Sequence, residues 1–519
     1  MNASSNSAAS NSAASNNERP EGQPVSLWVA TAGTTDYPVL SGDTEADVAV
    51  VGAGIAGLTA ALALKRAGHT VAVIEAARVG TGVTGHTTGK VTSLHRLAYR
   101  ELVRSHGADT ARIYGQANEA AIEHVAHVVA EEGIDCDFRR VANYTYAESA
   151  AALELVRAEA ALAEQLGLPG TFTSDVPLPF PVMGAVRFDG QAQIHSMKYV
   201  QGLARAVNGG GSFVFEGTRA QRVRDGSPGV VQTEQGTVRA RDIIVATNVP
   251  FGGQGLFDVR CHPHRSYLVA GLVDTPPLDA TFISADDPLR SILSVSASGK
   301  SYVLTGGEGH RVSEAGDTAG RYRRLAAFAH DRLGVGEIAY RWSMQDGIPL
   351  DGLPYAGLMS PTAKHVYVIT GLRKWGLSNG TAAALILADT LSGRENRWAA
   401  VYNSNRITPK ASARRFVKEN IRTVAAVLAG KLSGRPSHAA LAPGQGTVIK
   451  VRGESTAVYK DADGSVHAVS AICTHLGCTV GFNPSDATWD CPCHGSRFAT
   501  DGTVVQGPAA KNLPPGPQP

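Results

Sequence analysis

The apolar residues of this chain run in short continuous blocks through most of its length and in brief strand-sized segments near its end. From Asp47, DVAVVGAGIAG predicts a buried strand, a glycine turn and the start of a helix. LTAALALKRAG continues the helix to a C-cap signal at Gly68, and HTVAVIEA predicts a second buried strand. The unit is about 30 residues long, enough for a parallel crossover. Apolar spacing predicts helices over 111–132 and 147–166, and the proline-rich stretch 175–181 a loop. RDIIVATN near Asp242 and KHVYVITG near Lys364 predict further buried strands, with short strands alternating up to Leu304 and a helix over 377–391. A helix over 411–432 leads into a linker, SGRPSHAALAPGQG. Beyond it TVIKVRG, TAVYKD, SVHAVSA, TWDC, RFA and TVVQG, with DADG and TDG as turn signals, predict a small all-β domain. The expected units are a disordered tail 1–25, a main unit 26–425, a helix end and linker 426–446, and a small domain 447–519.

Composition adds limits. A chain of 519 residues is too long for one simple core. With 43% apolar and 18% charged residues and a net charge of +2, nothing favours a nucleic-acid or anionic-membrane partner. The richest apolar run, around 382–391, is short and carries Asp389, so no transmembrane segment is expected. The N-terminal residues repeat Asn-Ser-Ala-Ala-Ser and lack both a basic and an apolar signal region, so the expected compartment is the cytoplasm. Of the six cysteines, Cys136 and Cys261 stand alone, whereas four lie close together near the end. That grouping in a cytosolic chain reads first as a metal site.

Gly52, Gly54 and Gly57 form G-x-G-x-x-G between the first strand and its helix, and Glu75 ends the second strand 21 residues after Gly54. The first glycine permits the turn, the second lets the backbone reach a pyrophosphate, and the third lets helix and strand pack closely. The helix N-terminus favours phosphate, and Glu75 suits ribose hydroxyls. This predicts a dinucleotide, FAD or NAD. The stretches RVGTGVTGHTTGKVT, IIVATN, WSMQDGIPLDGLPYAG and GLRKWGLSNGTAAALILAD resemble segments of the D-amino-acid oxidase and glycine oxidase family of FAD enzymes. The resemblance extends over most of residues 26–425. It implies an α/β FAD-binding Rossmann-like domain with an interleaved α+β substrate domain. It also implies FAD contacts from Gly52, Gly54, Ile55, Ala56, Gly57, Glu75, Ala76, Thr84, Thr87, Thr88, Val223, Ala246, Thr247, Gly371, Trp375, Gly376, Leu377 and Ser378. By the same resemblance, the helix opened by Gly376 to Gly380 faces the flavin N1/C2=O edge, where its dipole suits the negative charge of reduced flavin. His86 in GVTGHTTG is either a packing histidine of this loop or, as in dimethylglycine-dehydrogenase-like relatives, a covalent flavin attachment. No second G-x-G-x-x-G unit is present for NAD(P)H. Arg265 and Tyr267 are candidates for binding a substrate carboxylate and Lys374 for a place near the flavin, each with packing or surface exposure as the alternative.

Cys473-Thr-His475-Leu-Gly-Cys478 and Cys491-Pro-Cys493-His494-Gly-Ser496 each supply cysteine and histidine. A Rieske centre needs two thiolates on one iron and two imidazoles on the other. A Cys2His2 zinc site needs the same ligand types, but zinc ribbons usually use C-x2-C knuckles, which these boxes lack. The boxes resemble those of Rieske proteins of the cytochrome bc and b6f type. The resemblance implies a [2Fe–2S] cluster held by Cys473 and Cys491 on one iron and His475 and His494 on the other, with Cys478 and Cys493 forming a disulfide between the loops. Gly507-Pro508-Ala509 resembles the family's closing loop. High-potential members carry a tyrosine where this chain has Phe498, so one hydrogen bond near the cluster sulfurs is missing here.

The expected function is an FAD-dependent oxidation of a small molecule, an amine or amino acid, with electrons passed to the cluster and then to an external protein or quinone acceptor. The alternative is a redox carrier or sensor in which electrons enter at the cluster. A Rieske oxygenase is disfavoured, because its mononuclear iron needs two further histidines and a carboxylate, and no histidine follows His494.

Overall fold

The structure, a computed structural model, describes residues 20–251, 253–314, 316–409, 411–412 and 441–519. Among these residues the main unit is built on two sheets. The first runs in the order Tyr355–Leu358, Val366–Thr370, Thr237–Val245, Thr44–Val51, Val71–Ile74 and Phe213–Phe215. Its central pairs are parallel. Val48 to Val51 and Val71 to Ile74 are all buried, as expected of parallel strands covered on both faces. One cover is the Ile55–Arg66 helix, which packs beside the Gly376–Leu391 helix. The crossover and both helices match the sequence expectation.

The second sheet runs Glu337–Pro349, Cys261–Leu272, Lys300–Arg311, Arg290–Ala297, Ala280–Ser284, Arg139–Ala147, Gly184–Gln193 and Lys90–Val91. The C-terminal part holds a three-stranded and a four-stranded antiparallel sheet, over residues 446–470 and 481–506. Its core contains Trp489, Phe498 and the four clustered cysteines.

Two expectations need amending. Residues 20–25 belong to the fold rather than the tail: Gln23 extends the edge of the second sheet, donating N–H to Ala339 O (2.9 Å) and accepting from Arg341 N (2.9 Å). An edge strand has free backbone groups that such a segment satisfies. The helices lie at Ala108–Glu131 and Ala150–Gln165, but Ser196–Val207 and Thr318–Leu333 were not anticipated. The latter is mostly polar, yet Tyr322, Leu325, Ala326, Ala329 and Leu333 form a helical stripe against the second sheet. The helix expected over 411–432 and most of the linker fall outside the described residues. Among the described residues no helix is long and apolar enough to cross a membrane.

Candidate functional site

A cleft of about 420 Å³ opens at the C-terminal ends of the central parallel strands, where ligands of open α/β sheets bind. Gly52, Gly54, Ile55, Ala56, Glu75, Ala76, Thr84, Thr87, Ala246, Thr247, Gly376 and Leu377 line it. The glycines divide the work. Gly52 has φ +109°, and a Cβ there would come within 2.7 Å of Ala246 O. A Cβ at Gly57 would sit 1.9 Å from Gly52 O, which fixes how closely helix and strand approach. Gly54 meets only Thr84 Oγ1, at 3.1 Å, so its side towards the cleft stays open. Neither Gly54 nor Trp375, the residues preceding the helices at Ile55 and Gly376, makes a side-chain cap. Thr84 Oγ1 accepts from Ile55 N (3.1 Å), and both helices turn their positive dipole ends to the cleft. This cradle fits an extended dinucleotide with phosphate at one helix and an anionic ring edge at the other. Gly57→Val should overpack the crossover by about 1–3 kcal/mol and sharply reduce bound flavin; flavin-to-protein ratio and melting temperature together check it.

Several expected residues stand elsewhere. Gly57, Thr88, Gly371, Trp375 and Ser378 lie behind the cleft lining. Gly371, at φ +68°, packs on Pro349, while Trp375 stacks on His95 (4.5 Å between centroids), whose Nε2 contacts Ser378 Oγ at 3.1 Å. Val223 pairs with Val231 in a flanking hairpin and packs into a core cluster rather than the cleft. His86 also stays out of the lining, its Nδ1 bonded to Gly82 O (2.8 Å). Arg265 and Tyr267 do not face the cleft. Alternate residues of a strand point to opposite faces, and both sit on the far face of the second sheet. Tyr267 is fully buried with its hydroxyl bonded to His310 Nε2 (3.0 Å), and Arg265 pairs with Asp490.

The cleft face carries Lys374 and a residue the sequence reading missed, Asp346. Lys374, at φ +70°, donates from Nζ to Ser266 Oγ (2.8 Å). Burial pulls its pKa down to about 8, partly offset by Asp346. Asp346 is buried and its Oδ2 has no hydrogen-bond partner. Burial pushes its carboxyl up to about 6, against the pull of Lys374. An acidic residue in the buried WSMQDGIP strand, on the same alternating face as Trp342 and Met344, was the available signal.

In the small domain the two boxes form facing loops. Cys478 and Cys493 are joined as a disulfide, whereas Cys473 and Cys491 are buried free thiols. A hydrogen bond from the Cys491 thiol holds Cys473 down at about 6, which places the two thiols side by side. The rings of His475 and His494 lie 5.1 Å apart at 86°, and His475 Nδ1 is buried without a hydrogen-bond partner. Two adjacent thiols and two adjacent imidazoles, one with an orphaned nitrogen, fit a [2Fe–2S] cluster with mixed ligands. Phe498 is fully buried in the same core. Phe498→Tyr should raise the cluster potential, within the Rieske span of about −150 to +300 mV, because a hydroxyl donor favours the more negative reduced state. A redox titration followed by EPR checks this.

The two sites share one strand. Along Glu337–Pro349, Arg341 donates to Ser485 O (2.9 Å), Ser343 to Asp486 Oδ2 (2.7 Å) and Gln345 to Gly495 O (2.8 Å). These alternate residues face the small domain, while Met344 and Asp346, on either side of Gln345, face the cleft. Gly495 approaches so closely that a Cβ would lie 2.0 Å from Gln345 Nε2. His494, beside Gly495, lines a small crevice with Val249, Gly347 and Thr370, and Val249 also lines the large cleft.

Comparison with known proteins gives the same two-part division. The family model for FAD dependent oxidoreductases matches residues 47–390, and that for the Rieske [2Fe-2S] domain matches 436–517. The Rieske 2Fe-2S iron-sulfur protein YhfW of Bacillus subtilis is 32% identical over 94% of this chain and 97% of its own. The gamma-glutamylputrescine oxidoreductase of Escherichia coli is 28% identical over 44% of this chain and 55% of its own. Glycine oxidase from Geobacillus kaustophilus has the same fold over 70% of this chain and 99% of its own, with TM-score 0.59 at 20% identity. The chain therefore belongs to the FAD dependent oxidoreductase family and carries a Rieske [2Fe–2S] domain after its flavin-binding part.

Proposed function

We propose that the protein oxidises a small amine or amino acid at FAD and delivers the electrons singly, through the Rieske domain, to an external one-electron acceptor. FAD accepts a hydride, and a [2Fe–2S] cluster carries one electron at a time. Each turnover thus removes two electrons from the substrate carbon, leaves an imine and reduces two equivalents of acceptor. The observation that carries this reading is the strand bearing Asp346 on the cleft side and Gln345, bonded to Gly495 beside His494, on the other. The names of the related gamma-glutamylputrescine oxidoreductase and glycine oxidase support the substrate class.

An alkylammonium must lose a proton before its carbon gives up a hydride. Asp346, held at about 6 and open to the cleft, is suited to take that proton. Lys374, fixed by Ser266, offers a positive partner to a substrate carboxylate or to the anionic ring edge. Anaerobic mixing with a panel of amines and amino acids should bleach the flavin with at least one, faster as pH rises through about 6. Asp346→Asn should slow bleaching by about 10²–10⁴-fold, the usual worth of general-base catalysis, and remove that pH limb. No bleaching across the panel overturns the substrate class. Electrons entering at the cluster would use the same Gln345 connection in reverse, and would give flavin reduction by a one-electron donor without any amine.

A further inference from the structure

The C-terminal loop of the Rieske domain lines the dinucleotide cleft. Val504 to Ala510 share its wall with Gly52, Gly54 and Glu75. Val504, Pro508 and Ala509 are buried. Besides its strand pairing with Arg497–Ala499 and a bond from Val504 N to Asn512 Oδ1 (3.0 Å), three bonds hold the loop. Arg219, itself a lining residue, donates Nη2–H to Val504 O (3.2 Å), and Gln506 donates to Gln345 O (3.2 Å). Ala509 N donates to Ser496 Oγ (3.0 Å), two residues past His494. One segment therefore belongs both to the cluster's ligand box and to the wall of the flavin cleft. A Rossmann unit needs no such wall to bind its pyrophosphate: the glycine turn, the helix dipole and Glu75 all lie in the first βαβ unit.

We propose that Val504 to Ala510 form part of the FAD-binding site, so that the docked Rieske domain retains the dinucleotide and FAD leaves when that domain lifts. The coupling is reciprocal, because a ligand that prefers the docked state stabilises docking by the factor that docking adds to its own affinity. The inference needs FAD binding only and is independent of electron flow between the sites.

Two variants of the full-length, cluster-loaded protein test it. Arg265→Leu removes a docking contact that does not line the cleft, and flavin fluorescence after dilution should show FAD release at least about tenfold faster, worth roughly 1.4 kcal/mol. Ala510→Trp places a large side chain towards the cleft, and should lower the FAD content of purified protein at least about tenfold while the Rieske EPR signal remains. Unchanged FAD release in an Arg265→Leu protein whose docking strands exchange amide hydrogens freely overturns the proposal. So does normal FAD content in Ala510→Trp, which decides the matter where Arg265→Leu leaves the domain docked.

Discussion

Arg265→Leu is expected to loosen the Rieske domain from the second sheet at a cost of about 3 kcal/mol, the lower end of the range for breaking a buried ion pair. Arg265 is 2% exposed, ion-paired with Asp490 and bonded to Gln345 Oε1 (3.2 Å). Its loss strands a buried carboxylate that keeps only the longer Arg497 contact, at 3.2 Å, as an ion pair. Hydrogen exchange along Cys261–Leu272 and Glu337–Pro349 should speed accordingly. The pH dependence follows from Asp490. Burial pushes its carboxyl up, but Arg265 and Arg497 outweigh burial and hold it at about 2. A depressed carboxyl stabilises above its ordinary value of about 3.9 and loses that contribution as pH falls towards its folded value. The native dock should therefore weaken between about pH 4 and pH 2, and Arg265→Leu should flatten that acid limb. Exchange rates in the variant equal to those of the parent would show that this pair does not hold the domain.

The second large effect concerns the cluster ligands. In the native protein the reduced centre should give the low-average-g EPR signal of a Rieske cluster, because two irons with unlike donors trap the extra electron on the histidine-ligated iron. His475→Cys or His494→Cys should abolish that signal. Exchanging a neutral imidazole for an anionic thiolate adds negative charge where the electron arrives, so any cluster retained should fall towards the roughly −400 mV of plant-type centres. Iron analysis separates a retained cluster from a lost one. Zinc in place of iron in anaerobically purified native protein, with no EPR signal, would contradict the cluster assignment.

What could be read from the sequence was what is local in it. Gly52, Gly54 and Gly57 sit close together and each cluster box holds its chemistry in six residues, so local spacing carried the dinucleotide reading, and the resemblance of these short segments to known families carried FAD and the cluster. Arg265 and Tyr267 show the limit. Alternation says they share a face, but only the pairing of Arg265 with Gln345 and of Tyr267 with Ser343 shows that this face meets the Rieske domain. The same pairing turns Ser266 and Asp346 to the cleft, a distinction no single strand contains. Val504 to Ala510 resembled a cluster loop and nothing more, because their second contact is with Arg219, far away in sequence. Gln23 was hidden for the reverse reason: a polar tail gains its place only from the free edge of a strand more than three hundred residues later.

The central claim, that flavin and cluster exchange electrons inside one molecule, is tested most directly without a substrate. The bound flavin of the cluster-loaded protein is reduced by light under argon, with EDTA as electron donor, and the cluster is followed by absorbance and EPR. Because the two sites are joined through Gln345 and Gly495, cluster reduction should follow flavin reduction as a first-order process whose rate does not change with protein concentration. Gln345→Ala should slow that phase. A flavin that becomes fully reduced while the cluster stays oxidised, or a cluster phase that scales with protein concentration, would contradict the account.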